Sequence, residues 1–174
     1  MATRLSQDLR IVLLGEEHDR GGFTCGAEDL DRYLKTQAGQ DVRRKANAVF
    51  VLSEVSEPTH VLGYYTLCAM AISQGDVPEA ARKHVPRYPL VSGTRIGRLA
   101  VARKRQGQRL GAILVADALQ RAFDSAGTVG ASMVVADALD ETAAGFYAAH
   151  GFVRLPDSLR LVLPMRMASG SAER

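Results

Sequence analysis

The stretch from Thr94 to Gly127 constrains this chain more than any other. It passes from a branched, apolar segment, TRIGRLAVA, through RKRQGQRLG, a loop holding two glycines, into a segment from about Leu110 to Ala126. In that segment Leu110, Ile113, Leu114 and Ala118 return to one face at steps of three and four; Asp117 interrupts the stripe and Gly127 ends it. The spacing predicts a strand, a glycine-bearing loop and a helix. Such a loop aims free backbone N–H groups and the positive end of a helix at one spot, which suits a pyrophosphate. No GKS or GKT follows the loop, so it is not a Walker P-loop, and GxGxxG spacing is absent. On loop chemistry alone a phosphate cradle and an unliganded turn remain equally open.

The rest of the chain supplies the context. Arg10 to Leu14 reads as a short strand and Ala27 to about Arg44 as a helix, with Leu30, Tyr33, Leu34, Ala38 and Val42 on its buried face. Asn47 to Ser53 and Val61 to Ile72, separated by a turn with Pro58, predict an antiparallel hairpin. Pro78 is expected to be the first residue of a short helix, and HVPRYPLVSG a rigid loop. Ala131 to Ala136 predicts a strand, Asp140 to His150 a helix closed by Gly151, and Phe152 to Leu155 with Leu159 to Met165 two closing strands. The sum is an α/β fold with helices on both faces of a sheet, antiparallel in its first half and with parallel crossovers in its middle.

At 174 residues, 47% apolar and 24% charged, the chain suits one globular domain, expected over residues 1–167 with a flexible tail at 168–174. No stretch is long and apolar enough to cross a bilayer and no secretory signal opens the chain, so a cytoplasmic protein without membrane attachment is expected. Cys25 and Cys68 stand far apart, and the four histidines fall in no ligand pattern, so no metal is expected. The net charge of +3 hides an asymmetry: from Arg82 to Arg109 there are nine basic residues and no acidic one. A run of that kind points to an anionic ligand, phosphates above all, rather than to a solvated face.

A second constellation is AGFYAAHGF at Ala144 to Phe152, after the strand ASMVVADALD. Together with LAVARKRQGQRLGAIL it resembles the GNAT superfamily of acetyl-CoA-dependent N-acetyltransferases. FTCGAEDLDRYLKTQA, VLGYYTL, PRYPLVSGTRIGRLAVA and RLVLPM sharpen this toward the GNAT toxins of bacterial toxin–antitoxin pairs, which acetylate the amino acid on aminoacyl-tRNA. The resemblance spans about residues 10 to 166. It implies a GNAT-like mixed, mostly antiparallel sheet with a parallel central splay, and acetyl-CoA as co-substrate.

Carried over by position, it implies that the backbone of Leu99, Ala100 and Val101 lies beside the pantetheine arm, where one N–H steadies the oxyanion. The phosphate loop falls on Gln106, Gly107, Gln108, Arg109 and Gly111, with Ala112 and Phe146 also on the cofactor. Arg109 departs from the family, which usually has glycine there. Tyr147 matches the tyrosine that gives a proton to the departing thiolate; Tyr64 and Tyr65 are rival hydroxyls. No Glu or His stands out as general base, which suits an α-amine of pKa about 8 better than a lysine. Arg87, Arg95 and Arg98 are the residues expected to meet RNA phosphates. The implied partners are aminoacyl-tRNA and a cognate antitoxin of ribbon–helix–helix type, with operator DNA reached only through that antitoxin; a homodimer stays open. Two other functions stay open as well: acetylation of a small-molecule amine or protein N-terminus, and a non-catalytic module binding nucleic acid or a repressor.

Overall fold

The computed structural model describes residues 8–167; the expected tail at 168–174 lies outside them. Strands β1 (Leu9–Leu13), β2 (Ala48–Glu54), β3 (Gly63–Ser73), β4 (Leu90–Val101), β5 (Met133–Asp137), β6 (Val153–Arg154) and β7 (Arg160–Pro164) form one sheet in the order β1-β2-β3-β4-β5-β7-β6. Helices are α1 (Glu28–Thr36), α2 (Ala38–Arg44), α3 (Glu79–Arg82), α4 (Leu110–Ala126) and α5 (Glu141–Ala149). The sheet is mixed and mostly antiparallel. Its parallel pair is β4 with β5, as a crossover through α4 requires.

The described residues divide into two compact units, 8–66 with Leu99–Val115, and Leu67–Arg98 with 116–167. In the first, β1 and β2 pair antiparallel from Leu9↔Glu54 to Leu13↔Phe50. Its core gathers Leu34 and Ala38 from the helices with Val49, Val51, Tyr64 and Ala100 from the strands. The predicted helix over 27–44 is two helices. Tyr33 O still accepts from Gln37 N, but Arg20 Nη1 donates to Leu34 O at 3.3 Å, and Gln37 joins α1 to α2 at φ −119°. The guanidinium competes for a carbonyl that a continuous helix would use itself, so the apolar stripe runs on across a break.

In the second unit, β4 and β5 pair from Gly93↔Met133 to Ile96↔Ala136, and β5 pairs antiparallel with β7 from Met133↔Pro164 to Asp137↔Arg160. Ile72, Val77, Ala81, Val91, Met133, Val135 and Val162 make its core. Two local expectations are corrected here. Pro78 precedes α3 as its cap, with ψ 143°, rather than opening the helix. The loop predicted through Gly93 gives way to strand at Leu90, because Val91 is buried and Ser92 O accepts from Ser132 N. Gly93 is tolerated in the strand for a packing reason: a Cβ there would come within 3.2 Å of Met133 O.

Candidate active site

The connection from β4 to α4 is built on main chain. Leu99, Ala100 and Val101 end β4; Arg103–Arg105 form a single 3-10 turn; the exposed residues 106–109 lead into α4. Gln106 braces the turn, its Nε2 donating to Cys25 O at 2.7 Å and to Val101 O at 3.0 Å. Gly107 stands at φ +79° with open space where a Cβ would be, and Arg109 stands at φ +63°. Arg109 therefore takes the left-handed conformation that glycine adopts without strain, at the position where the sequence departs from the GNAT pattern. Its backbone follows the glycine geometry while its side chain is exposed. The first turn of α4, which contains Gly111 and Ala112, carries no acidic residue. Its leading N–H groups lack intrahelical partners and sit at the positive end of the helix. Loop and helix end thus fit a diphosphate.

Arg103, Lys104 and Arg105, with Gly22 to Thr24, Glu57 and His60 to Leu62, line a cleft of about 350 Å³ in the same unit. Sequence reasoning missed it, since residues 22–24 and 57–62 have no pattern linking them to the loop. Arg105 is spent within it, pairing with Glu54 at 2.7 Å. Burial and its hydrogen bond with Asp31 push the neighbouring Cys25 thiol up to about 11, which favours the neutral thiol over the thiolate.

Tyr147 belongs to the other unit and is defined by its side chain. Asp140 starts α5, its carboxylate accepting from Ala143 N at 2.9 Å, so the helix begins at a fixed point beyond β5. Tyr147 is 4% exposed and packs edge-on against Phe152 and Phe146, at centroid distances of 5.5 Å and 5.4 Å. Phe146 is half-buried and also meets the His150 ring. Burial raises the Tyr147 phenol well above its ordinary range, and the Asp137 carboxylate raises it further. The group is a protonated donor at any physiological pH.

Asp137 itself, unremarked in the sequence, is held by Arg160 at 2.7 and 3.2 Å and faces Arg95 at 3.6 Å. Arg95 is thus engaged with an internal carboxylate, across 42 positions of sequence that no local pattern spans. Arg98 is half-buried and Arg87 exposed. Tyr64 and Tyr65 are both fully buried, and Tyr64 OH donates to Leu30 O at 2.6 Å, so the first rival hydroxyl ties α1 to the sheet. Among the described residues, no group of three or more His, Cys, Asp or Glu is placed to hold a metal ion.

Comparison with known proteins follows the same lines. The family model of the acetyltransferase (GNAT) domain matches residues 47–154. A tRNA-acetylating toxin of Mycobacterium tuberculosis is 31% identical over 157 residues, 89% of this chain and 91% of the relative. Among solved structures, AtaT complexed with acetyl-methionyl-tRNAfMet superposes with a TM-score of 0.85 at 31% identity, over 94% of this chain and 99% of that one. A tyrosine-to-phenylalanine variant of AtaT, bound to the C-terminus of the antitoxin AtaR and acetyl-CoA, superposes with a TM-score of 0.81 at 29% identity, covering 96% and 99%.

Proposed function

Because this chain belongs to the GNAT acetyltransferase family, we propose that it is a toxin that moves acetyl from acetyl-CoA to the α-amino group of aminoacyl-tRNA. The observation that carries the chemistry is the buried phenol of Tyr147, kept protonated by desolvation and by Asp137. The substrate rests on the likeness to a tRNA-acetylating toxin across 89% of the chain.

In this reading the N–H groups of Gly107 to Gly111 and the first turn of α4, with Ala112, hold the diphosphate of acetyl-CoA, while Gln106, whose own N–H is donated to Arg103 O, shapes the loop. Main-chain groups of Leu99 to Val101 and the ring of Phe146 line the rest of its course. Acetyl-CoA supplies an activated thioester. The neutral α-amine forms the new C–N bond to the carbonyl carbon as the C–S bond breaks; the amine loses one proton to solvent, and Tyr147 gives its phenolic proton to the leaving sulfur and regains one from solvent before the next turnover. An amine of pKa about 8 is neutral in a sizeable fraction of molecules at cellular pH. The absence of an obvious base residue is then no obstacle. N-acetylation removes the nucleophile that peptide-bond formation needs, so translation stalls.

The same reading takes residues 1–167 as one acetyltransferase domain and places the protein in the cytoplasm; among the described residues no helix is long and apolar enough to cross a membrane. It assigns Arg87 and Arg98 to RNA phosphates, and Arg95 to them only in part, given its pairing with Asp137. A ribbon–helix–helix antitoxin would neutralise the enzyme and carry it to operator DNA; the assembly stays open between a monomer and a homodimer. Charged tRNA incubated with enzyme and acetyl-CoA, then analysed by mass spectrometry of the released aminoacyl group, should show N-acetylaminoacyl ester. Acetylation of free amines or protein N-termini with charged tRNA left untouched would overturn the proposal.

A further inference from the structure

Between α3 and β4 the chain presents an aromatic ring to solvent on a braced loop. Val85 and Val91 are buried at 8% and 1% exposure, and between them residues 86–90 are all exposed, Tyr88 at 68% and Leu90 at 63%. The loop is held at several points. Pro86 and Pro89 fix two backbone torsions and Pro89 O accepts from Gln74 N at 3.0 Å, while ahead of the loop Arg82 of α3 donates to Val77 O and Gly75 O at 2.9 and 3.1 Å. An exposed tyrosine on a stiff loop loses little conformational entropy on meeting a flat partner.

The surrounding charge selects the partner. Arg87 precedes the ring in the chain and Lys83 stands five residues before it, both exposed, and no acidic residue occurs from Arg82 to Arg109; Asp76 and Glu79 lie before the loop, ahead of and at the start of α3. A π-face set among cations matches an unpaired nucleotide, whose base stacks while its phosphates meet the cations. A protein segment would match the ring and Leu90 but has no general need for the cations Lys83 and Arg87.

We propose that Tyr88 is a stacking platform for an unpaired base near the acceptor end of the RNA substrate, with Lys83 and Arg87 taking the adjacent phosphates. This rests on the reading of aminoacyl-tRNA as substrate. It adds a single-strand subsite, and so predicts a preference for an RNA with an unpaired 3′ tail over a plain duplex.

The test uses the full chain and two labelled RNA hairpins of identical stem, one ending blunt and one with a single-stranded 3′ tail, followed by fluorescence anisotropy. Tyr88→Ala should weaken binding of the tailed hairpin about tenfold, Tyr88→Phe should restore it to within about twofold, and the blunt hairpin should bind all three proteins alike. In the transfer assay, Tyr88→Ala should raise KM for aminoacyl-tRNA and leave KM for acetyl-CoA unchanged. Equal loss on both hairpins, no rescue by phenylalanine, or a Tyr88→Ala effect confined to self-association or to antitoxin binding would overturn the subsite. Ring-dependent binding of the tailed hairpin by a wild-type protein that never acetylates charged tRNA would uphold the subsite while removing the substrate reading. Acetylation of charged tRNA with an unaltered KM in Tyr88→Ala would do the reverse.

Discussion

The connection from Ala102 to Arg109 and the helix that carries Tyr147 use opposite materials. The connection exposes its side chains from Gln106 to Arg109 and offers backbone N–H groups in a shape set by two positive-φ residues, Gly107 and Arg109. Tyr147 offers one side-chain atom, on a ring 4% exposed, with its proton affinity set by burial and by Asp137. A site made of main chain tolerates changes of side chain and fails when its torsions are disturbed. A site made of one hydroxyl tolerates nothing at that atom. The two should therefore answer mutation in different ways.

The largest effect is expected at the hydroxyl. Tyr147→Phe should lower kcat by about 100-fold or more, on the order of 3 kcal/mol, with acetyl-CoA affinity by calorimetry and neutral-pH melting temperature near wild type. Full activity in that variant would remove the catalytic role. The alkaline range adds a sign. The folded pKa of Tyr147 lies above its unfolded value near ~10, so its contribution to stability is whole below that pH and is lost as pH rises through the folded value. Tyr147→Phe should lose that alkaline decline in thermal melts. On the acid side, the wild-type rate should rise with pH toward about 8 as the α-amine neutralises.

Next comes Asp137→Asn. It removes the carboxylate that Arg160 grips with two hydrogen bonds, at a cost of about 2 kcal/mol in chemical denaturation. It also lowers the pKa of the Tyr147 phenol, since a nearby negative charge no longer opposes the phenolate. An unchanged phenol titration, followed by NMR of a fluorinated tyrosine at position 147, would remove Asp137 from the electrostatics of Tyr147.

The connection should respond less, and through its torsions. Gly107→Ala meets open space but a φ of +79°, so strain of about 1 kcal/mol is expected, read as weaker acetyl-CoA binding together with a slightly lower melting temperature. Arg109→Gly is the smallest effect. Relief at φ +63° should raise stability by about 0.5 kcal/mol, and the change in acetyl-CoA affinity then reads the worth of the cation alone. A large affinity loss there would blur the comparison, because a side chain would share the work of the loop.

Legibility in the sequence follows how local each cause is. The span of α4 over Leu110–Ala126 is readable because a repeating apolar face and a closing glycine are neighbours in the chain. So is the start of α5, whose cap Asp140 acts three residues along. The break at Gln37 is not readable, because Arg20 makes it from another part of the chain. Strand at Leu90 is hidden for the same kind of reason: its proline-rich flank reads as loop, and burial of Val91 with the Ser132-to-Ser92 bond draws it into the sheet.

What the sequence determined alone was the order of strand, glycine loop and helix, the basic run, and the presence of Tyr147 in a GNAT-like segment. Hydrophobic periodicity, turn chemistry and charge are properties of neighbours in the chain, and survive without knowledge of the fold. Tertiary structure alone decided that Arg109 adopts a glycine's torsions, that Arg95 and Arg160 close on Asp137, that Tyr64 and Tyr65 are sealed in the core, and that Tyr88 stands out in solvent. Those outcomes depend on which distant groups share a dielectric and a hydrogen bond, and such distances exist only once the chain has folded.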